Sequence, residues 1–203
     1  MLKIERMPEE ELPAAWESMV KEFPDDERKP LEMLRQQTRQ GLMEPWWLME
    51  DGQRRGYAML LAAPGERMVL LDYLAMLEKG KGYGSACLRL LQQAYPGGLL
   101  VESEAEEPGL EPSEEEKRRR RLGFYRRGGF APCRWSACVY GVTYRILGWF
   151  PCLPSRWEDR CREAYCTLYR NQVPRTWLRS HFAILEDGQD RDAQGESRSA
   201  MPR

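Results

Sequence analysis

The consecutive residues Lys79, Gly80, Lys81, Gly82, Tyr83, Gly84 and Ser85 alternate glycine with cationic or hydroxyl-bearing side chains. They stand between an apolar run and a segment with helical spacing, in which Leu88, Leu91 and Tyr95 share one side. Glycines at a strand-to-helix turn let a ligand approach the backbone, and a helix start exposes unpaired N–H groups. The helix dipole favours negative charge there, and Lys79 and Lys81 add to it. The chemistry this predicts is the cradling of an anion, and a pyrophosphate fits it. By itself such a turn is shared by P-loops, dinucleotide-binding folds and ordinary turns. A P-loop is excluded because no Gly-Lys-Ser/Thr closes this one. A dinucleotide fold expects the glycines after an early strand, within alternating parallel units, whereas here they follow an antiparallel meander.

A second constellation runs from Leu122 through Gly123, Phe124, Tyr125, Arg126, Arg127, Gly128 and Gly129 to Phe130, an aromatic-rich helix end leading into a strand. Between the two constellations lie the candidate bases. Glu102 and Glu104 follow the apolar Leu99, Leu100 and Val101, and because strand side chains repeat every two residues they share a face. Asp72, in the run that feeds the glycines, is a third acid. The basic residues Arg118, Arg119, Arg120 and Arg121, with Arg126 and Arg127, follow acids in the same helix and read as a solvated, paired face. The one histidine, His181, has no nucleophile or acid at a recognisable motif spacing, which disfavours a hydrolase triad. Six cysteines form no CxxC pair and have no adjacent histidine, so no metal site is expected and the thiols read as free.

The elements that must position these groups can be read along the chain. An alternating strand over residues 2–6 precedes a helix opened by Pro8, Glu9, Glu10 and Glu11, and a second helix carries Leu31, Met33 and Leu34. Asp51-Gly52 joins two strands as a hairpin, and residues 68–77 form a third apolar run. The helix after the glycines stops at Pro96, Gly97 and Gly98; another, opened by Pro112 and Ser113, ends at Gly128 and Gly129. Two strand candidates flank Gly141. Pro151 and Pro154 mark a boundary, residues 157–169 look helical, residues 173–185 are assigned to no element, and residues 186–203 are polar enough to predict a disordered tail. Acids and bases nearly cancel, 32 against 31, so no basic field draws the chain to nucleic acid. No run approaches the roughly 18 apolar residues of a membrane helix, and the first residues lack a signal-peptide core, so a soluble, cytoplasmic protein is expected.

Taken together and in this order, the two constellations resemble the signatures of the GNAT superfamily of acyl-CoA N-acyltransferases. That family's CoA signature is Arg or Gln, two residues, Gly, one residue, then Gly or Ala; Lys79 to Gly84 matches it with lysine first. The link from Leu77 to Gly80 is about two residues shorter than the common version and lacks its usual proline. The resemblance implies an α/β (α+β-like) fold with a central mixed, mostly antiparallel twisted sheet flanked by helices and a C-terminal helical appendage. It implies a GNAT domain over residues 1–150, a helical extension over 151–185 and a tail over 186–203. It further implies that main-chain groups of Leu74, Ala75 and Met76 pair with pantetheine amides. Lys79, Gly80, Lys81, Gly82, Tyr83, Gly84 and Ser85 would hold the pyrophosphate, and Tyr125 would protonate the departing thiolate. The implied activity is acetyl transfer from acetyl-CoA, with no metal, to a primary amine of a small molecule or peptide in a ternary complex. Glu102 is the first choice of base and Glu104 the second. The alternatives are a non-catalytic CoA-binding or protein-interaction module of the same fold, and a homodimer surface built from Trp157, Tyr165, Tyr169 and Trp177.

Overall fold

Strand runs buried on both faces belong in the middle of a sheet, and Tyr57, Ala58, Met59, Leu60 and Leu61 are such a run. In the computed structural model, which describes residues 1–105 and 110–186, they form the centre of β3 (Gln53–Leu61). The tail expected from residue 187 onward, and Glu106 and Glu107 of the acidic run, lie outside the described residues. The other strands are β1 (Leu2–Arg6), β2 (Met43–Glu50), β4 (Val69–Met76), β5 (Leu99–Glu104), β6 (Ala131–Val139), β7 (Val142–Trp149) and β8 (Phe182–Glu186). They make one sheet in the order β1-β2-β3-β4-β5-β7-β6-β8. The β4–β5 pair is parallel and the other neighbouring pairs are antiparallel, which agrees with the expected mixed, mostly antiparallel sheet.

Helices cover both faces. Tyr57, Met59 and Leu61 point toward α1 (Leu12–Glu22), α2 (Leu31–Arg39) and α5 (Trp157–Gln172), sharing a core with Leu12, Met19, Leu34, Tyr165 and Leu168. Ala58 and Leu60 point the other way, toward α3 (Tyr83–Ala94) and α4 (Pro112–Arg127), with Leu88, Leu91, Leu122 and Tyr125. The unassigned residues 173–185 contain α6 (Arg175–His181) and most of β8, which pairs antiparallel with β6 from Trp135↔Glu186 to Val139↔Phe182. The C-terminal region therefore adds a strand to the sheet as well as helices. The aromatics read as a dimer surface pack on the chain's own core: Tyr165 lies within it, and Trp157, Tyr169 and Trp177 lie against it. Among the described residues no helix is long and apolar enough to cross a membrane.

Two bulges shape the middle of the sheet. Leu48 faces Gly56 but Met49 faces Arg54, so Arg55 is an extra residue on β3. Met59 faces Tyr73 but Leu60 faces Leu71, so Asp72 is an extra residue on β4. A bulge bends its strand and increases the local twist. The β4–β5 pairing stops just before Asp72, having joined only Val69↔Leu99, Leu70↔Leu100 and Leu71↔Val101. Meanwhile β5 remains paired with β7 as far as Glu104↔Tyr144. The two strands part like a V, with unpaired backbone on its inner sides.

Gly56 holds β3 tight against the outer arm of that V. A Cβ there would lie 2.6 Å from the Ala75 carbonyl oxygen and 2.7 Å from the Met76 sulfur. Gly56→Ala must displace backbone, and overpacking of this kind costs about 1–3 kcal/mol. Urea unfolding should show a lower midpoint with an unchanged slope.

Candidate active site

The V opens toward the glycine turn. Helix α3 begins at Tyr83 with Gly82 as its N-cap, and the first helical bond runs from Ala86 N–H to Gly82 O at 3.1 Å. The N–H groups of Tyr83, Gly84 and Ser85 therefore precede any intrahelical acceptor, and no side chain caps them. Gly80 and Gly82 have φ of 78° and 76°, a region that side chains strain to enter, and a Cβ on either would meet nothing within 4 Å. That is open space lined by N–H groups, a shape and polarity suited to phosphate oxygens. Gly84 differs: a Cβ there would stand 3.4 Å from the Phe124 ring, in ordinary van der Waals contact with α4. Lys79 is 83% exposed, with its Nζ 3.4 Å from a Glu22 carboxylate oxygen, and Lys81 and Ser85 are exposed beside the opening.

The turn is stapled to the β2–β3 hairpin by residues that the sequence reading passed over. Tyr83 O–H donates to Glu50 Oε2 at 2.7 Å, which raises the phenol's pKa. The bulged Arg55 pairs with Glu50 at 3.3 Å and with Glu78, and its guanidinium carbon lies 5.8 Å from the Tyr83 ring centroid. Arg55 stands with Gln53 and Arg54 in the polar start of β3, so the sequence offered no distinct signal for it.

Leu74, Ala75 and Met76 occupy the part of β4 beyond the last pair with β5, so their peptide groups on that side have no strand partner. Tyr125 comes from α4. Its ring packs against Phe124 and Phe130 at centroid distances of 5.2 and 5.8 Å, and its hydroxyl has no hydrogen-bond partner among the described residues. Burial pushes its pKa up to about 12, with Arg121 opposing the shift and Glu102 adding to it.

The three acids differ sharply in their surroundings. Glu102 Oε1 accepts hydrogen bonds from Tyr165 and Tyr169, one turn apart on α5, the second at 2.7 Å. Burial raises its carboxyl above the ordinary range; the two phenols oppose the shift, Asp72 adds to it and Lys29 opposes it. Glu104 is ion-paired instead. Its Oε2 lies 2.9 Å from Arg118 Nε, though off the N–H line, and its Oε1 lies 3.6 Å from Arg121 Nη1. Arg118 Nη1 also donates to Ala105 O at 2.6 Å, so this arginine is tied to the end of β5. Asp72, turned by its bulge, pairs with Lys29 from the segment between α1 and α2. Tyr144 stands opposite Glu104 on β7, its phenol raised chiefly by burial and then by Glu102 and Glu104.

Asp72 and Glu102 are thus the first residues of β4 and β5 beyond their last pair, and the charge of Glu102 reaches the Tyr125 hydroxyl. Lys29, Tyr165 and Tyr169 pair with these two acids and Tyr73 holds the Lys29 backbone, and none of the four was read as a site residue. The i,i+4 spacing of Tyr165 and Tyr169 was their only mark in the sequence. His181 lies elsewhere, stacked on Trp177 at 5.1 Å with its Nδ1 3.2 Å from Trp177 O.

No family model matches the chain, and no curated protein matches its sequence. Solved structures do match its fold. A Bacteroides thetaiotaomicron protein assigned to the GNAT family of acetyltransferases superposes with a TM-score of 0.65 at 19% identity, over 85% of this chain and 99% of the other. The aminoglycoside acetyltransferase AAC(6')-Ib, solved with coenzyme A and kanamycin, gives 0.53 at 17% identity, over 74% of this chain and 95% of the other. A Salmonella typhimurium acetyltransferase that modifies the N-terminal serine of ribosomal protein L7/L12 gives 0.54 at 11% identity, over 74% and 95%. At these identities the likeness is one of architecture, and the chain has the fold of the GNAT acetyltransferases.

Proposed function

We propose that this protein is an N-acetyltransferase that binds acetyl-CoA and an amine together and lets the amine attack the thioester directly. The observation that carries the reading is the V between β4 and β5, which leads from Glu102 and Tyr125 to the glycine turn at the start of α3. The aminoglycoside enzyme of the same fold is known with coenzyme A bound, which supports acetyl-CoA as the cosubstrate. Peptide groups of Leu74, Ala75 and Met76 would pair with pantetheine amides, and the N–H groups of Tyr83, Gly84 and Ser85 would hold the pyrophosphate, with Gly80 and Gly82 shaping the turn. Lys79 and Lys81 add positive charge at its rim. When bound, acetyl-CoA supplies an activated thioester. The acceptor is an amine-bearing small molecule or peptide.

A lysine-like amine has a pKa near 10.4, so at pH 7 about one molecule in 2,500 is nucleophilic, a penalty of about 4.6 kcal/mol. Glu102 is the base in this reading. Its Oε1 is held by two phenols, which orients Oε2 to take a proton directly or through water. Glu104, ion-paired to Arg118 and Arg121, is the second choice and keeps the end of β5 in place. Tyr125 stays protonated at physiological pH. Complete proton transfer from a phenol near 12 to a thiolate of ordinary basicity is uphill by about 3 units, so its contribution is a hydrogen bond to the developing thiolate.

Three measurements test this. Calorimetric titration with acetyl-CoA should show one site. Gly82→Val, strained at φ 76° and projecting into the cradle, should weaken binding at least tenfold; absence of binding by the wild type at millimolar ligand refutes the proposal. Tyr125→Phe should slow turnover about a hundredfold and leave acetyl-CoA affinity nearly intact, and unchanged turnover removes the tyrosine from the reaction. Because Glu102 must be ionised to accept a proton and its pKa is raised, activity should fall as pH drops through a value above the usual carboxylate range. Glu102→Gln should abolish that acid limb in the kcat profile together with most of the rate.

A further inference from the structure

Lys29 carries its ammonium to the point where β4 and β5 part. Its Nζ pairs with Asp72, the bulged residue one position beyond the last β4–β5 pair. Glu102 is the first β5 residue beyond that same pair, and the charges of both Lys29 and Asp72 reach it. The backbone of Lys29 is fixed from several directions. Its N–H donates to the Tyr73 hydroxyl oxygen at 3.1 Å, Tyr73 O–H donates to Glu27 O at 2.8 Å, and Trp16 Nε1–H donates to Lys29 O at 3.4 Å. The ammonium itself lies 5.7 Å from the Tyr73 ring centroid, within cation–π range. A primary ammonium held between a carboxylate and a phenol ring, beside the candidate base, is what an acceptor amine would present. Here it belongs to the chain itself.

We propose that Lys29 is a self-acetylation site, modified within the same molecule by acetyl-CoA held in the V. This rests on the function proposed above. The bond formed joins Nζ to the acetyl carbonyl carbon, and the bond broken is that carbon's bond to the CoA sulfur. Of the three hydrogens on the ammonium, one stays on the amide, one leaves through Glu102 to water, and one ends on the CoA thiol. No redox change or further reactant is involved. The product amide carries no charge, so the ion pair with Asp72 is lost.

Exposure separates this reaction from uncatalysed labelling, which favours accessible amines. The Lys29 side chain is 22% exposed, against 83% for Lys79, 62% for Lys117 and 57% for Lys3. The full chain is incubated with acetyl-CoA and no other amine, then digested and mapped by mass spectrometry, with acetyl-CoA binding measured on the same sample by calorimetry. The expected result is one acetyl group on Lys29, appearing at least tenfold faster than on Lys79 or Lys117, with a rate constant independent of protein concentration. Lys29→Arg should lose most of the incorporated acetyl, and Glu102→Gln should slow its appearance at least tenfold; the wild-type map decides the matter even if either variant folds poorly. Labelling ordered by exposure, a rate constant that rises with protein concentration, or an unmodified Lys29 in protein that binds acetyl-CoA overturns the inference and leaves the proposed function standing. Failure to bind acetyl-CoA overturns both.

Discussion

The parting of β4 from β5 is the constraint on which the rest of the structure depends. Parallel strands inside a sheet normally satisfy each other's backbone along their full length, because buried unpaired peptide groups cost free energy. Here three residue pairs are made and the remainder given up. The bulge at Asp72 bends β4, while the antiparallel ladder to β7 holds β5 to its own line. Each arm is therefore supported from outside the V, and the gap persists without a partner strand. Gly56 belongs to the same device, since only a residue without a Cβ lets β3 follow the bent arm so closely.

What fills the mouth of this gap comes from the C-terminal third of the chain. Helix α5 crosses the sheet face and delivers Tyr165 and Tyr169 to one oxygen of Glu102, while β8 extends the sheet beside β6 and packs Phe182 against both tyrosines. A buried carboxylate without such donors would be driven strongly toward its neutral form. The two phenols oppose that drift and restrict rotation of the group. Packing of the C-terminal region and protonation of the candidate base are thus one problem.

The legible and illegible parts of this arrangement divide along a physical line. Gly80, Gly82 and Tyr125 could be read because a left-handed turn demands glycine and because an aromatic helix end before a strand leaves a local pattern. The sheet was legible too, since its strands are short apolar runs bounded by glycine and proline. The bulges were not, because a one-residue register change leaves almost no trace in composition; Asp72 betrays it only as a charge within an apolar strand, and Arg55, beside Gln53 and Arg54, not at all. Glu102's partners lie 63 and 67 residues away, and no spacing rule spans that distance. Strand β8 was missed for another reason: its five residues are half-buried or exposed at a sheet edge, where hydrophobic alternation is weakest.

The electrostatics of the mouth bear on how one carboxylate could deprotonate an amine at all. In water the transfer from a lysine-like ammonium to a glutamate is uphill by about 6 units, about 8 kcal/mol. Burial changes both ends of that difference in the same sense: it raises the carboxyl and lowers the ammonium, because transfer converts an ion pair into two neutral groups. The neighbouring Asp72 charge raises Glu102 further, whereas Lys29 and the two phenols oppose it. Under the proposed reaction, acetylation of Lys29 would remove the one ammonium that opposes this shift and leave the Asp72 charge to raise Glu102 further.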